Sequence, residues 1–200
     1  MSANAVPSSS SVTATEDFAK LGEDLAFQGA VVSVFRTEFR TPDGQIVDRD
    51  IVRHPGAVSV VPVHADGSVV LVRQFRAQME GVLYEIPAGK RDVAGEPPEV
   101  TARRELIEEV GLQAERLRPL IQLLHSPGFC DEVNHLFLAT GLTEVARAVD
   151  GPEEEHMTIE RVPLSDAIAM VRSGVIADAK TVVGLLLAEA VLSGDATPGA

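Results

Sequence analysis

Three glutamates stand close together in one short segment, "RRELIEEVG" at residues 103–111. Glu105, Glu108 and Glu109 are spaced i, i+3 and i+4, so a helix would bring their carboxylates onto one side. On an exposed helix such like charges repel each other, at a cost of about 0.2–0.5 kcal/mol per pair. Carboxylates at this spacing can also converge on one hard divalent cation, which turns the repulsion into coordination. The segment alone therefore fits either a solvated charged face or a cation site.

The residues around this segment predict a helix. Pro97 and Pro98 suit an opening turn, because a proline there removes no N–H that the helix needs. Gly111 suits the C-cap, where a left-handed residue often ends a helix. One side is apolar, through Val100, Leu106, Ile107 and Val110. The three glutamates are therefore expected on a helix with one buried side.

Strand and turn signals divide the rest of the chain into short elements. Two strands are predicted at 30–40 and 45–54, around a turn that carries Pro and Gly. Two Val-rich strands at 57–64 and 68–76 are predicted to form a hairpin, because an Asp-Gly pair favours a tight reversal. The later elements are strands at 82–89, 117–125, 133–141 and 159–163, then a helix with Ser165 as its N-cap and a helix from about 178. Strands mixed with three helices predict an α+β or layered α/β/α architecture.

The composition narrows the class of protein. The chain has 200 residues, 45% hydrophobic and 24% charged, which is typical of a soluble globular domain. A net charge of −13 weighs against a nucleic-acid partner, which would need a basic face. We expect no membrane span and no signal peptide, since no apolar run is long enough and residues 1–20 read as a disordered lead. Cys130 is the one cysteine, which excludes an intrachain disulfide and favours a cytoplasmic protein.

The segment "GKRDVAGEPPEVTARRELIEEVGL" at residues 89–112 resembles the Nudix box, G-x5-E-x7-R-E-U-x-E-E-x-G-U, where U is a bulky aliphatic residue. Eight residues match its spacings: Glu96, Arg104, Glu105, Leu106, Glu108, Glu109, Gly111 and Leu112. Gly89 stands seven positions before Glu96 rather than six, so the loop carries one extra residue. The resemblance implies the Nudix fold, an α/β/α sandwich with a mixed sheet, here with an N-terminal antiparallel strand pair.

Further segments are similar to the ADP-ribose pyrophosphatase branch of the Nudix hydrolases: "RQFR" (73–76), "YEIPAG" (84–89) and "SPGFCDE" (126–132). Pro127 lies sixteen residues after Gly111, as a proline does in that branch. The resemblance implies hydrolysis of ADP-ribose to AMP and ribose 5-phosphate. Another nucleoside diphosphate sugar or a dinucleotide is the alternative substrate. The alternative of another class is a non-catalytic module that senses a nucleotide, although such modules typically lose box carboxylates that this chain retains.

The resemblance also implies roles for the box residues. Glu105, Glu109 and the backbone carbonyl of Ala88 are expected to bind Mg²⁺, with Mn²⁺ as an alternative cation. Glu108 is expected to be a further ligand or to hold water at the metal. Arg104 is expected to pair with a box carboxylate and fix its rotamer, because a guanidinium grips carboxylates bidentately.

The general base is expected outside the box, in the acidic loop "PEEEHM" at residues 152–157. Glu154 is the candidate, and Glu153 and Glu155 remain alternatives. A loop base would reach the attacking water only after substrate binding, which suits a closing loop.

Substrate anchoring would need cations in this acidic chain. Arg76 and Arg49 are candidates for the phosphates or terminal ribose, and Gly128 would let a loop approach the substrate closely. By resemblance the enzyme is a homodimer in which Arg49 comes from the partner subunit. The expected domains are N-terminal strands for dimerisation at 21–55 and the Nudix domain at 56–195.

Overall fold

The computed structural model describes residue 15, residues 17–148 and residues 156–194. These residues fall into two compact units: one runs to Gly56 and includes Leu124–Val133, and the other holds Ala57–Leu123 and resumes at Asn134. Most of the predicted disordered lead, and Glu153, Glu154 and Glu155 of the acidic loop, lie outside the described residues. Within the described ranges, no helix is long and apolar enough to cross a membrane.

The first unit contains a three-stranded antiparallel sheet in the order β1-β2-β3. Its strands are β1 (Ala19–Gln28), β2 (Ser33–Arg40) and β3 (Ile46–Arg53). The register of β2 with β3 runs without a break from Ser33 opposite Arg53 to Arg40 opposite Ile46. This confirms the predicted pair. Strand β1 was not predicted, and it begins inside the segment expected to be disordered.

The remaining strands are β4 (Ala57–Pro62), β5 (Ser68–Arg76), β6 (Gly81–Glu85), β7 (Ala88–Lys90), β8 (Leu112–Leu124), β9 (Val133–Glu144) and β10 (Thr158–Pro163). They form a four-stranded sheet in the order β7-β4-β9-β8 and a three-stranded sheet in the order β10-β5-β6. The larger sheet is mixed, as predicted, because β4 runs parallel to β9 and antiparallel to β7.

The predicted hairpin of β4 with β5 is wrong beyond its turn. The turn itself closes, with the His64 N–H donating to the Ser68 carbonyl over 2.8 Å. Only one bridge, Val63 with Val69, then joins the two segments. A strand has two edges for hydrogen bonding, and β7 and β9 take both edges of β4. Strand β5 therefore belongs to the other sheet.

The helices are α1 (Pro98–Val110), α2 (Leu164–Arg172) and α3 (Ala179–Ser193). Helix α1 starts and stops as predicted: Pro97 occupies the N-cap, and Gly111 ends the helix in the left-handed region at φ 64°. The expected N-cap role of Ser165 is wrong, because α2 follows β10 directly and Pro163 occupies that position. Asp178 caps α3 by accepting the Thr181 N–H over 3.0 Å.

Two apolar cores lie on opposite faces of the strands in the second unit. Residues alternate between them with the period of two expected of strands: Val70 and Val72 of β5 face the core of α1, while Val69 and Leu71 face that of α2 and α3. Strand β9 alternates in the same way. Helices thus cover both faces, which confirms the α/β/α layering.

Candidate active site

The carboxylate of Glu105 lies directly against the backbone of Gly89. A Cβ built on Gly89 would overlap the carboxylate carbon and both carboxylate oxygens of Glu105. Glu105 stands on α1 and is buried, while Gly89 is the middle residue of β7. Any side chain at residue 89 would displace this carboxylate. The glycine of "PAGK" is therefore required for the carboxylate to lie where it does.

Glu109 lies one helical turn further along α1 and faces the same short strand. Its Oε2 accepts the backbone N–H of Ala88 over 2.9 Å, and its side chain is buried. The preceding carbonyl, that of Pro87, accepts the Val60 N–H over 2.9 Å and holds this segment to β4. The residues predicted as metal ligands, Ala88, Glu105 and Glu109, therefore meet where α1 packs on β7.

The chemistry of these groups fits a hard divalent cation. Two carboxylates and a backbone carbonyl offer oxygen ligands, which suit Mg²⁺ or Mn²⁺ better than softer metals. The Glu105 carboxylate occupies the position that a side chain on residue 89 would fill. Among the described residues, no three His, Cys, Asp or Glu side chains form a metal-holding group by themselves. Mg²⁺ commonly takes one or two carboxylates and completes its shell with water and substrate phosphates.

Arg104 sits among the box carboxylates. Its Nη1 lies 2.8 Å from Glu108 Oε2 and 3.0 Å from Glu105 Oε1, and its Nη2 lies 3.5 Å from Glu96 Oε2. Burial lowers the pKa of Arg104, but the charge of Glu105 and the bond to Glu108 outweigh it and the pKa is raised. Because the guanidinium touches both carboxylates, it restricts their rotamers and offsets their mutual repulsion.

Arg76, a predicted substrate residue, lies at the end of β5 and is held by Glu85. Nε and Nη2 of Arg76 donate to the two oxygens of Glu85, each over 2.7 Å. Lys180 of α3 also donates to Glu85. Neither Glu85 nor Lys180 was predicted from the sequence as a functional residue. A glutamate within the segment "LYEIP" and a lysine at the start of a mostly apolar helix were the signals that could have found them.

Two further predicted substrate residues, Arg49 and Gly128, belong to the first unit. Arg49 is exposed on β3 and donates to the Asp48 carbonyl over 2.7 Å. Gly128 lies in a turn closed by the Ser126 carbonyl, and a Cβ there would meet no atom within 4 Å. A side chain at residue 128 would therefore not clash with any of the described residues, and packing within them does not require a glycine there.

Known proteins resemble this chain in sequence and in fold. The NUDIX domain model matches residues 53–182. An "ADP-ribose pyrophosphatase" of Mycobacterium tuberculosis is 42% identical over 185 residues, which cover 92% of this chain and 89% of that protein. A "Methanol dehydrogenase activator" of Bacillus methanolicus is 40% identical over 159 residues, 80% of this chain and 85% of that protein. A solved "ADP compounds hydrolase" has a TM-score of 0.77 at 24% identity and covers 92% of this chain and 98% of its own.

Proposed function

The chain belongs to the Nudix family, and from this premise we propose that it hydrolyses the pyrophosphate bond of ADP-ribose to AMP and ribose 5-phosphate with Mg²⁺. Mn²⁺ is the alternative cation. The observation that carries the proposal is the pair of buried carboxylates, Glu105 and Glu109, packed against Gly89 and Ala88. The name of the mycobacterial relative, 42% identical, supports ADP-ribose as the substrate.

Glu105, Glu109 and the carbonyl of Ala88 would hold the cation. When bound, such a cation neutralises charge on the pyrophosphate and favours deprotonation of the attacking water. Arg104 keeps Glu105 and Glu108 in place through its contacts of 3.0 and 2.8 Å. The Ala88 N–H fixes the orientation of the Glu109 carboxylate. The side chains of the site are thereby in position before the substrate binds, so they need not rearrange during the reaction.

Glu154 would act as the general base. The water oxygen forms a bond to one phosphorus atom, its proton passes to the Glu154 carboxylate, and the bond from that phosphorus to the bridging oxygen breaks. The bridging oxygen leaves with the electron pair on the other phosphate. One water and one ADP-ribose thus give one AMP and one ribose 5-phosphate. A base on a loop also restricts proton transfer to the state in which substrate is bound.

The diphosphate and the terminal ribose would be held by Arg76 and Arg49, and Gly128 would lie beside the substrate. Arginine suits phosphate because its planar fork can donate two parallel hydrogen bonds. Arg76 is fixed by Glu85, which presents the guanidinium in one orientation.

A homodimer formed through the N-terminal strands at 21–55 completes the proposal, with Arg49 supplied by the partner subunit. Support comes from large apolar side chains exposed on β1: Leu21 at 46%, Leu25 at 55% and Phe27 at 59%. Clustered apolar side chains on a surface commonly mark a protein interface. The single cysteine supports a cytoplasmic setting.

A substrate panel tests the proposal. ADP-ribose, ADP-glucose, GDP-mannose, NADH and diadenosine compounds are compared by kcat/KM in Mg²⁺ and in Mn²⁺, with products followed by ³¹P NMR. The expected result is the highest kcat/KM for ADP-ribose, with AMP and ribose 5-phosphate as products. A higher value for any other compound overturns the substrate assignment. Binding of ADP-ribose by calorimetry without turnover of any compound would instead favour a nucleotide-sensing module.

A further inference from the structure

Four charged side chains form a cluster between β5, β6 and α3, which we call the Glu85 network: Arg76, Glu85, Asp178 and Lys180. The Glu85 side chain is 1% exposed and that of Lys180 is 9% exposed. Lys180 Nζ contacts Glu85 and lies 2.9 Å from Asp178 Oδ2. Arg76 donates to both carboxylate oxygens of Glu85, each over 2.7 Å, so that Glu85 Oε2 accepts from Arg76 and from Lys180.

Lys180 is an unexpected residue at its position. It is the second residue of α3, where the helix dipole favours negative charge and disfavours a cation. Its long side chain also loses rotamer freedom on burial. Asp178 and Glu85 offset these costs. A helix start could be capped by Asp178 alone, so the cap does not account for the lysine.

The network is balanced in charge. Two cations face two carboxylates, and ionised Glu85 is favoured: burial raises its pKa, but the hydrogen bond from Arg76 and the charge of Lys180 outweigh this and the pKa is lowered. If the ammonium were absent, two carboxylates would face Arg76 alone. The cluster would then carry one excess negative charge beside the guanidinium.

The network also borders the candidate active site. Glu85 is followed by Ile86, whose N–H donates to Thr181 Oγ1 over 2.9 Å, and by the segment that ends at Ala88. Hydrogen bonding to Glu85 raises the pKa of Arg76, burial opposes this, and the charge of Glu109 adds to the increase. The guanidinium therefore lies within electrostatic range of a predicted metal ligand, and its side chain is 34% exposed.

We propose that Lys180 is a positioning residue for substrate binding, whose ammonium offsets Glu85 and so keeps the positive charge of Arg76 available to the substrate's diphosphate. The inference rests on the proposed function, in which Arg76 contacts that diphosphate. Lys180 does not touch the substrate. Its effect is electrostatic, and it changes the free energy of binding equally in the ground state and in the transition state.

The test compares Lys180→Met, Lys180→Arg, Glu85→Gln and the double variant Lys180→Met/Glu85→Gln with the wild type. Arg116→Met is the matched control, because it removes one positive charge from a side chain that is 79% exposed. Each protein is measured for KM and kcat with ADP-ribose and for the Kd of α,β-methylene-ADP-ribose, a diphosphate that cannot be hydrolysed. Thermal unfolding is recorded for every variant.

Lys180→Met is expected to raise Kd and KM by about tenfold, the effect of one uncompensated charge at intermediate distance. Its kcat stays within about threefold of the wild type, because uniform binding changes KM alone. The double variant recovers most of the affinity, since glutamine removes the excess charge, and Lys180→Arg retains the affinity because it keeps the cation. Arg116→Met changes neither constant.

A purely structural lysine would give a different pattern. Lys180→Met would then lower the unfolding temperature while KM of the folded protein stayed unchanged, or the double variant would bind no better than Lys180→Met. Either result overturns the proposal. If Lys180→Met does not fold, Asp178→Asn decides, because it removes one negative charge from the network while asparagine still caps the helix: the proposal requires a Kd equal to or below that of the wild type, and a higher Kd refutes it.

A wrong substrate assignment is seen separately. In that case the wild type itself fails with ADP-ribose in the panel, and the same variants are compared with the nucleoside diphosphate compound that the wild type uses best. The electrostatic role of Lys180 predicts the same rise in KM and the same recovery there, because every such compound carries the diphosphate.

Discussion

The backbone N–H of Ala88 donates a hydrogen bond of 2.9 Å to Oε2 of Glu109, which joins strand β7 to helix α1 at the candidate site. The bond connects the two elements that carry the proposed cation ligands Ala88 and Glu109. A carboxylate oriented in this way needs no rearrangement to receive a cation, which favours metal affinity.

Glu109→Gln separates the charge of this residue from its structural bond. The amide oxygen of glutamine can still accept the Ala88 N–H, so we expect the free energy of unfolding to change by no more than about 1 kcal/mol. The lost charge should lower kcat with Mg²⁺ by more than about 100-fold. Activity across a Mg²⁺ titration and urea unfolding check both statements. Glu99→Gln is the control on the exposed side of α1, where Glu99 pairs with Arg103. Full activity of Glu109→Gln would show that the site is wrongly assigned.

Gly89→Ala tests the close approach of Glu105 to the backbone. The added methyl group would occupy the position of the Glu105 carboxylate, so that side chain must move away from the cation site. We expect the Mg²⁺ concentration for half-maximal activity to rise at least about tenfold, as for loss of a supporting contact at a metal site. Gly81→Ala is the matched control, because the nearest atom to its new Cβ would be the Met79 carbonyl oxygen at 3.5 Å. An equal Mg²⁺ requirement in the two variants would contradict the assignment.

Local signals in the sequence predicted helix α1 well. Pro97, Pro98 and Gly111 act through backbone angles and missing N–H groups within a few residues, and the structure places them at the two ends of the helix. The Nudix box resemblance likewise depends on residues within one segment. It predicted that Ala88, Glu105 and Glu109 would meet, although the metal role of these residues stays a prediction.

Relationships over long distances in sequence were not predictable in this way. Lys180 and Glu85 are 95 residues apart, and no spacing rule connects a lysine at a helix start with a glutamate in a strand. The separation of β4 from β5 has the same origin: the Asp66-Gly67 turn indicates a reversal, whereas β7 and β9 decide which strands pair with β4. Tertiary competition for strand edges overrides the local hairpin signal.

Glu154→Gln is expected to lower kcat by about 100-fold or more, on the scale of general-base catalysis, with a smaller change in KM. The matched variants Glu153→Gln and Glu155→Gln change the neighbouring carboxylates in the sequence and should retain most of the activity. Steady-state kinetics with ADP-ribose in saturating Mg²⁺ measures all three. If Glu153→Gln alone shows the large loss, the base lies one residue earlier than proposed.

Leu25→Lys is expected to convert the proposed dimer into a monomer, because a lysine at an apolar interface must be desolvated. Leu25 is 55% exposed on β1, so the same change costs little within a single chain. Light scattering after size-exclusion chromatography measures the mass of each variant. Ile159→Lys, at an apolar side chain of β10 that is 42% exposed, is the control and should leave the mass unchanged. A monomeric wild type, or a dimer that persists in Leu25→Lys, would refute an interface through β1.

Glu85 gives the stability of the protein a specific dependence on acid. Burial raises the pKa of Glu85, but Arg76 and Lys180 outweigh it and bring the pKa below its ordinary value of 4.5. A carboxyl group with a lowered folded-state pKa contributes its full stability above pH 4.5, the value of the unfolded chain, and loses it as the pH falls through the folded-state pKa. Glu85→Gln, which leaves the buried Lys180 and the partly exposed Arg76 without this charge, should therefore cost about 3 kcal/mol at pH 7. The difference from the wild type should shrink below pH 4.5.

Urea unfolding of the wild type, of Glu85→Gln and of the exposed control Glu99→Gln measures this difference in the free energy of unfolding. The measurements run from pH 3 to pH 8, a range that includes the ordinary carboxyl pKa of about 4. A difference that stays constant over this range would mean that the ionised form of Glu85 does not stabilise the fold.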